Sequence, residues 1–187
     1  MTGSLRGKLL VAAPMLVDPN FNRTVVLLLE HNDDGAIGLV LNRPSDVVLN
    51  DALSSWAELA PAPAVVFVGG PVSAESAIGL AEARSSTVET ETDGFAPLLE
   101  GLGTVDLARP PDLVLPAVAR VRVFAGYAGW ASEQLEYELR EEAWFVVDRL
   151  PQDLWSDDPA GMWRAVLRRQ RGLVAHVANF PVDLRSN

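Results

Sequence analysis

The side chains able to do chemistry in this chain are few, and their spacing excludes more than it offers. Cysteine is absent, which removes thiolate nucleophiles, disulfides, zinc-thiolate centres and iron-sulfur clusters together. Hydroxyl groups such as Thr24, Ser45 and Ser73 sit in neither a G-x-S-x-G elbow nor an S-x-x-K pair. Of the two histidines, His31 falls where an apolar run gives way to a polar turn. Its neighbour Glu30 points to the opposite face of a continuing strand, so the two are not an acid-base pair. A bond from His31 to Asp33 or to a backbone carbonyl is the expected arrangement. His176, set among Leu173, Val174, Ala175 and Val177, reads as a packed interior residue. No catalytic triad is complete, and no catalytic residue is assigned.

Metal and anion motifs are equally thin. Asp18-Pro19-Asn20-Phe21-Asn22 imitates the start of a calcium loop, but Arg23 stands where the loop needs glycine and Leu29 where it needs a bidentate glutamate. Histidine and carboxylate pairs at helical spacing are missing, so neither metal nor cofactor is expected. Gly69-Gly70-Pro71, following an apolar strand, could offer backbone amides to an anion, yet it lacks the lysine and hydroxyl of a P-loop and reads first as a turn. Gly126-Tyr127-Ala128-Gly129-Trp130 could form an aromatic-lined corner, although core packing accounts for such aromatics as well. Arg164, Arg168, Arg169 and Arg171 make one basic helix face, which Asp157 and Asp158 can neutralise.

The elements that must position these residues follow from hydropathy. Leu9 onward is a buried first strand; it follows Arg6 and Lys8 as a short secretory signal would, but no A-x-A cleavage pattern comes after it. Thr24–Leu29 and Ala36–Leu41 form a hairpin whose reversal uses the positive-φ capacity of Gly35. Their apolar runs do not alternate with polar residues, so both faces demand cover and the strands are central. Asn42-Arg43-Pro44 stops the second of them. A short helix follows from Asn50 or Asp51 to about Leu59, then strands at Val65–Val68, Val121–Tyr127 and Trp144–Val147. The pattern weakens between Ser73 and Leu115, with polar loop expected at Ser85-Ser86-Thr87 and from Glu89 to Gly94. Pro110 and Pro111 open a short turn of helix, Ser132 caps the next helix, and a last helix runs from about Pro159 or Ala160 to Arg171, ended by Gly172.

Composition sets the class. Among 187 residues, 49% are apolar and 21% charged, the balance of a globular chain of one domain. The 25 acidic against 15 basic side chains leave a net charge of −10, which repels phosphate backbones and anionic lipids, so direct DNA binding is not expected. No apolar run approaches the length a membrane helix needs, and no membrane contact is expected. Strands in neighbouring groups, without regular βα alternation, favour an α+β fold.

Read in order, these blocks resemble the AlgH/YqgE family of bacterial cytoplasmic proteins: Gly7 to Pro14, Asp18-Pro19-Asn20-Phe21, His31, Gly35 to Pro44, Gly69-Gly70-Pro71-Val72, Gly126 to Trp130, Gln134-Leu135-Glu136 and Trp144. The likeness covers nearly the whole chain. One departure is Glu133, which occupies the glycine position of the family's W-x-x-G-Q-L-E. The resemblance implies an α+β domain built on a mixed, barrel-like sheet with flanking helices. It implies a cytoplasmic location and a family label of transcriptional regulator. The favoured function is a non-enzymatic regulatory or binding protein with a small-molecule or protein partner. Its expected ligand surface gathers Asn20, Arg23, His31, Asn42, Arg43, Gly69, Gly70, Tyr127, Trp130 and Gln134 at strand ends. The alternative is an enzyme or sensor for an anionic or nucleotide-like molecule, received by Arg43 and the Gly69-Gly70 amides with His31 as base.

Overall fold

The computed structural model describes residues 3–85 and 94–181. Strands β1 (Leu9–Ala12), β2 (Val25–Asn32) and β3 (Gly35–Val40) pair antiparallel, and β10 (Trp144–Val147) closes the outer side of β1. The lack of alternation in their sequences has a simple cause: both faces are covered. Leu9, Val11, Val25 and Leu27 join one core with Phe67, Phe124 and Trp163, while Leu10, Ala12, Val26 and Leu28 join another with Trp130, Leu135 and Trp144. Asp33 and Asp34 make the hairpin turn, and Gly35 follows with φ 135°.

The chain then runs through β4 (Pro44–Val48), α1 (Leu49–Ala52), a 3₁₀ turn (Ser54–Leu59) and β5 (Val65–Val68), with Trp56 buried in a third core. Next come β6 (Val72–Ala83), β7 (Phe95–Leu99), β8 (Leu102–Val105), a 3₁₀ turn (Pro111–Leu113) and the 14-residue β9 (Val118–Ala131). The main path through the sheet is β10-β1-β2-β3-β9-β6-β8-β7, with β5 parallel to β9 and β4 on the outside of β5. The fold is α+β, its mixed sheet curled into a half-barrel.

The stretch from Ser73 to Leu115, unpatterned in sequence, holds three of these strands. β6 is rich in alanine, serine and glutamate, poor strand formers, yet β9 and β8 pair with it on either side and supply what its propensity does not. Of the polar loop expected there, Ser86, Thr87 and 89–93 lie outside the described residues.

The helices cover the sheet's faces. α2 (Gln134–Arg140) is not capped by Ser132, whose Oγ donates to the Asp33 carbonyl (2.7 Å); Glu133 takes the N-cap position in the left-handed region at φ 62°. After a 3₁₀ turn (Pro151–Trp155), α3 spans Met162–Arg168, shorter than the helix expected to Arg171, and Gly172 at φ 66° leads into α4 (Leu173–Val177). Trp163, Val166 and Leu167 are buried as their spacing requires. His176, expected in the interior, is exposed because α4 turns it outward, with Nδ1 3.1 Å from the Gly172 carbonyl oxygen.

β9 changes partner at Gly126. Before it, Phe124 and Ala125 run parallel to β5; after it, Ala128 to Ala131 run antiparallel to β3. Gly69 bridges the gap, its amide donating to the Ala125 carbonyl and its own carbonyl accepting from the Val40 amide, both at 2.8 Å. At Gly70 a Cβ would lie 2.1 Å from the Tyr127 carbonyl carbon, and φ is 156°. Gly70→Ala is therefore expected to cost on the order of 3 kcal/mol or to prevent folding. Gly101→Ala, at φ 72° with open space around it, should cost only about 1 kcal/mol. Urea denaturation of the two variants measures the contrast.

Candidate functional site

Among the described residues, the histidine with a carboxylate partner is the one at the tip of the β2–β3 hairpin. A bulge between Leu28 and Glu30 shifts the register of β2 against β3, so that His31 lies opposite Ala36 and Glu30 opposite Ile37. His31, Ala36 and Trp130 thereby share the face covered by α2, while Glu30, Ile37 and Gly129 share the other. His31 is 7% exposed. Its partners are neither Asp33 nor a carbonyl: Nδ1 accepts from the Leu5 amide (2.9 Å) and Nε2 lies 2.7 Å from Glu136 Oε1, from α2. With Nδ1 filled as an acceptor, the network assigns the ring proton to Nε2, which donates to the carboxylate. No lone pair is left to act as a base. The Glu136 carboxyl is held below the usual glutamate range, first by a backbone hydrogen bond and then by the His31 bond. Asn32, Asp33, Ser132 and Glu133 complete a polar pocket of about 610 Å³ around this pair.

Glu138, one helical turn below Gln134, is the polar centre of the covered face. Its Oε2 accepts from the indole N–H groups of Trp130 (2.9 Å) and Trp144 (2.8 Å), and its Oε1 from the Gln134 amide (3.0 Å). The two indoles pack edge to face at 6.0 Å, and Phe21 meets both rings at 6.0 and 5.6 Å. Glu138 is not among the residues that the sequence pattern singles out. The available signal was chemical: two buried tryptophans each need an acceptor.

Asn20, Arg23, Asn42 and Arg43 gather around the 18–23 turn, and the side chains of Arg23, Asn42 and Arg43 are spent on backbone groups. Asn42 accepts from the Val25 amide and donates to the Arg23 carbonyl; Arg43 donates to the carbonyls of Pro19 (2.7 Å) and Asn22 (3.1 Å). Asn20 is exposed, its amide bonded to Asp18. Arg23, at φ 55°, lies over the Trp163 ring at 4.4 Å and donates to the carbonyls of Phe180 (3.0 Å) and Pro181. His31, Trp130 and Gln134 gather instead beneath and beside α2, joined to the 18–23 turn through Phe21. Tyr127 packs on the opposite face of β9 from Trp130, beside the Gly69-Gly70 seam.

On that opposite face lies a groove of about 400 Å³. Ile37, Val72, Tyr127 and the bare backbone of Gly129 form its apolar floor, and Glu30 and Asp34 stand at its border. Ile37 is 42% exposed, unusual for so large an apolar side chain in a strand. Among the described residues no group of three or more histidine or acidic side chains could hold a metal ion, and no helix is long and apolar enough to cross a membrane.

Comparison with known proteins gives one consistent result. The AlgH-like family model matches residues 9–175. A UPF0301 protein of Streptomyces coelicolor is 52% identical, over 96% of this chain and 94% of that one; a UPF0301 protein of Thermobifida fusca is 44% identical over the same shares. Among solved structures, protein DIP2367 from Corynebacterium diphtheriae superposes with a TM-score of 0.87 at 30% identity, covering 96% of this chain and 94% of that one. The solution structure of the AlgH protein from Pseudomonas aeruginosa gives 0.69 at 28%, covering 97% and 96%.

Three variants test the polar geometry. Glu138→Ala strands two buried indole donors and should cost about 2–4 kcal/mol, while Glu138→Gln, which keeps the carbonyl acceptor, should cost about half as much; tryptophan fluorescence during urea unfolding measures both. The depressed Glu136 carboxyl contributes stability that is present above the ordinary glutamate pKa of about 4.3 and is lost as pH falls through its lower folded value. Glu136→Gln should therefore flatten the acid limb of the stability profile below about pH 5, read as melting temperature against pH.

Proposed function

The chain belongs to the AlgH-like family, and from that footing we propose that it is a cytoplasmic, non-enzymatic regulatory or binding protein whose receptor surface is the groove over Ile37, Val72, Tyr127 and Gly129. The observation that carries this reading is the division of labour at the hairpin tip. The groups that could react are spent internally, His31 on Leu5 and Glu136, and Glu138 on two indoles. The opposite face, one residue away in register, leaves apolar side chains open beside two carboxylates. A partner suited to it presents an apolar side chain next to a cationic group, which fits a protein segment or a small amphipathic molecule. The chain's net charge of −10 opposes nucleic acid as that partner.

The anion-receiving alternative meets a cost at its named residues. Arg43 already serves two carbonyls, and the Gly69 amide already serves Ala125, so an anion there would have to displace a backbone contact.

A genetic replacement separates binding from catalysis. A Cβ at Gly129 would meet Tyr127 and Val72 at 3.7 Å, an ordinary contact, so Gly129→Leu fills the groove without disturbing the sheet. His31→Gln removes the imidazole while keeping one donor and one acceptor. In a strain whose own copy is replaced, Gly129→Leu should reproduce the transcript profile of the deletion, and His31→Gln should retain the wild-type profile. The reverse pattern, with both proteins folded, would overturn the proposal in favour of a histidine-dependent reaction.

A further inference from the structure

β9 has an open edge at the floor of the hairpin groove. β6 lies beside it only as far as Val72, which faces Tyr127; before Val72 the chain returns to β5 through Gly70 and Gly69. From Ala128 to Ala131 the strand pairs with β3 on one side, and among the described residues no strand flanks the other. Backbone groups of successive strand residues point to alternate sides. The Ala131 amide donates to Gln134 Oε1 (3.0 Å) and not to β3. Gly129, two residues earlier, therefore also turns its N–H and carbonyl away from β3, on the side where β6 has ended. It is exposed and carries no side chain, which leaves both groups accessible to a partner.

The face beside this edge suits one kind of side chain. Strand pairing sets Glu30, Ile37 and Gly129 in one row across β2, β3 and β9. A side chain entering from the edge crosses bare Gly129, meets the exposed Ile37 and ends at the carboxylates of Glu30 and Asp34. Among the described residues that line the groove, none is basic. Arg6 approaches Glu30 from outside, but at 3.6 Å with both side chains half-exposed, and its Nε is given to the Leu29 carbonyl (3.0 Å), so the acidic border keeps its charge. An aliphatic stem ending in a cation, as in arginine or lysine, matches this succession of apolar floor and acidic rim.

Given the groove's role as receptor surface, on which this occupant rests, we infer that it takes an extended peptide of a partner protein. The peptide adds to the β9 edge through main-chain hydrogen bonds to Gly129 and lays an arginine or lysine side chain over Ile37 towards Glu30 and Asp34.

Random octapeptides displayed on phage, selected on the full chain and counter-selected on Gly129→Leu, supply the probe. The enriched peptides should share an arginine or lysine flanked by β-branched or aromatic residues. A synthetic copy, titrated by fluorescence polarisation, should bind Gly129→Leu about tenfold or more weakly than wild type. It should lose a similar factor when its basic residue becomes norleucine, which keeps the stem and removes the charge. Methylation of the peptide's backbone nitrogens one at a time should abolish binding at the residue facing Gly129 and be tolerated at the two beside it, whose amides point to solvent. The absence of peptides enriched over the Gly129→Leu control would overturn the peptide as occupant; if Gly129→Leu still reproduces the transcript profile of the deletion, the groove keeps its role with a small amphipathic ligand. Tolerance of methylation at every nitrogen would overturn strand addition, and equal affinity of the norleucine peptide would overturn the part given to the acidic border. Should Gly129→Leu fail to fold, Ile37→Ser on the exposed floor takes its place, and the methylation series on the wild-type chain decides independently.

Discussion

The change of partner in β9 at Gly126 is the constraint on which the remaining architecture rests. One strand cannot serve β5 in parallel and β3 in antiparallel register unless the chain leaving β5 clears it at close range. Only backbone fits there: a Cβ at Gly69 would lie 2.3 Å from the Gly126 carbonyl oxygen, and one at Gly126 would lie 2.5 Å from that of Gly70. The seam aligns the hairpin with β9, and that alignment sets Ala36 beside Trp130 and Ile37 beside Gly129. The covered polar face and the open groove are consequences of the same register.

Within that frame, long polar side chains act mainly as ties between segments remote in sequence. Arg43 and Asn42 anchor the 18–23 turn, Arg23 reaches the segment that follows α4, and Arg122 gathers three carbonyls from two loops. Arginine suits this role because its planar fork can satisfy several carbonyls while its charge stays partly delocalised. The same economy explains why residues that look functional in a list of motifs prove structural in space. Glu138 shows it most clearly, since one carboxylate satisfies both indoles of an aromatic cluster that closes the α2 face.

Much of the fold was legible from residues. Val25 to Leu29 announced a strand covered on both faces, and Trp163, Val166 and Leu167 announced the buried stripe of α3. β6 was not legible, because alanine and serine form strands only when neighbours on both sides hold them. The partner of His31 was not legible either, since Glu136 lies 105 residues away and belongs to a different element. Glu30 and His31 were correctly separated to opposite faces, yet which face carried which depended on a bulge with no mark in the local sequence.

The amino-acid order alone thus determined what had to be buried, where the chain could reverse and which chemistries were absent, because apolar runs, Gly35, the Gly69-Gly70 pair and a lack of cysteine act locally or by simple exclusion. Tertiary structure decided the polar pairings: that His31 meets Glu136, that Glu138 serves two indoles, and that Arg122 gathers the carbonyls of Leu154, Ser156 and Ala62. The physical reason is that a hydrogen bond is specified within tenths of an ångström by both of its ends, and those ends come together only once the sheet has set its register.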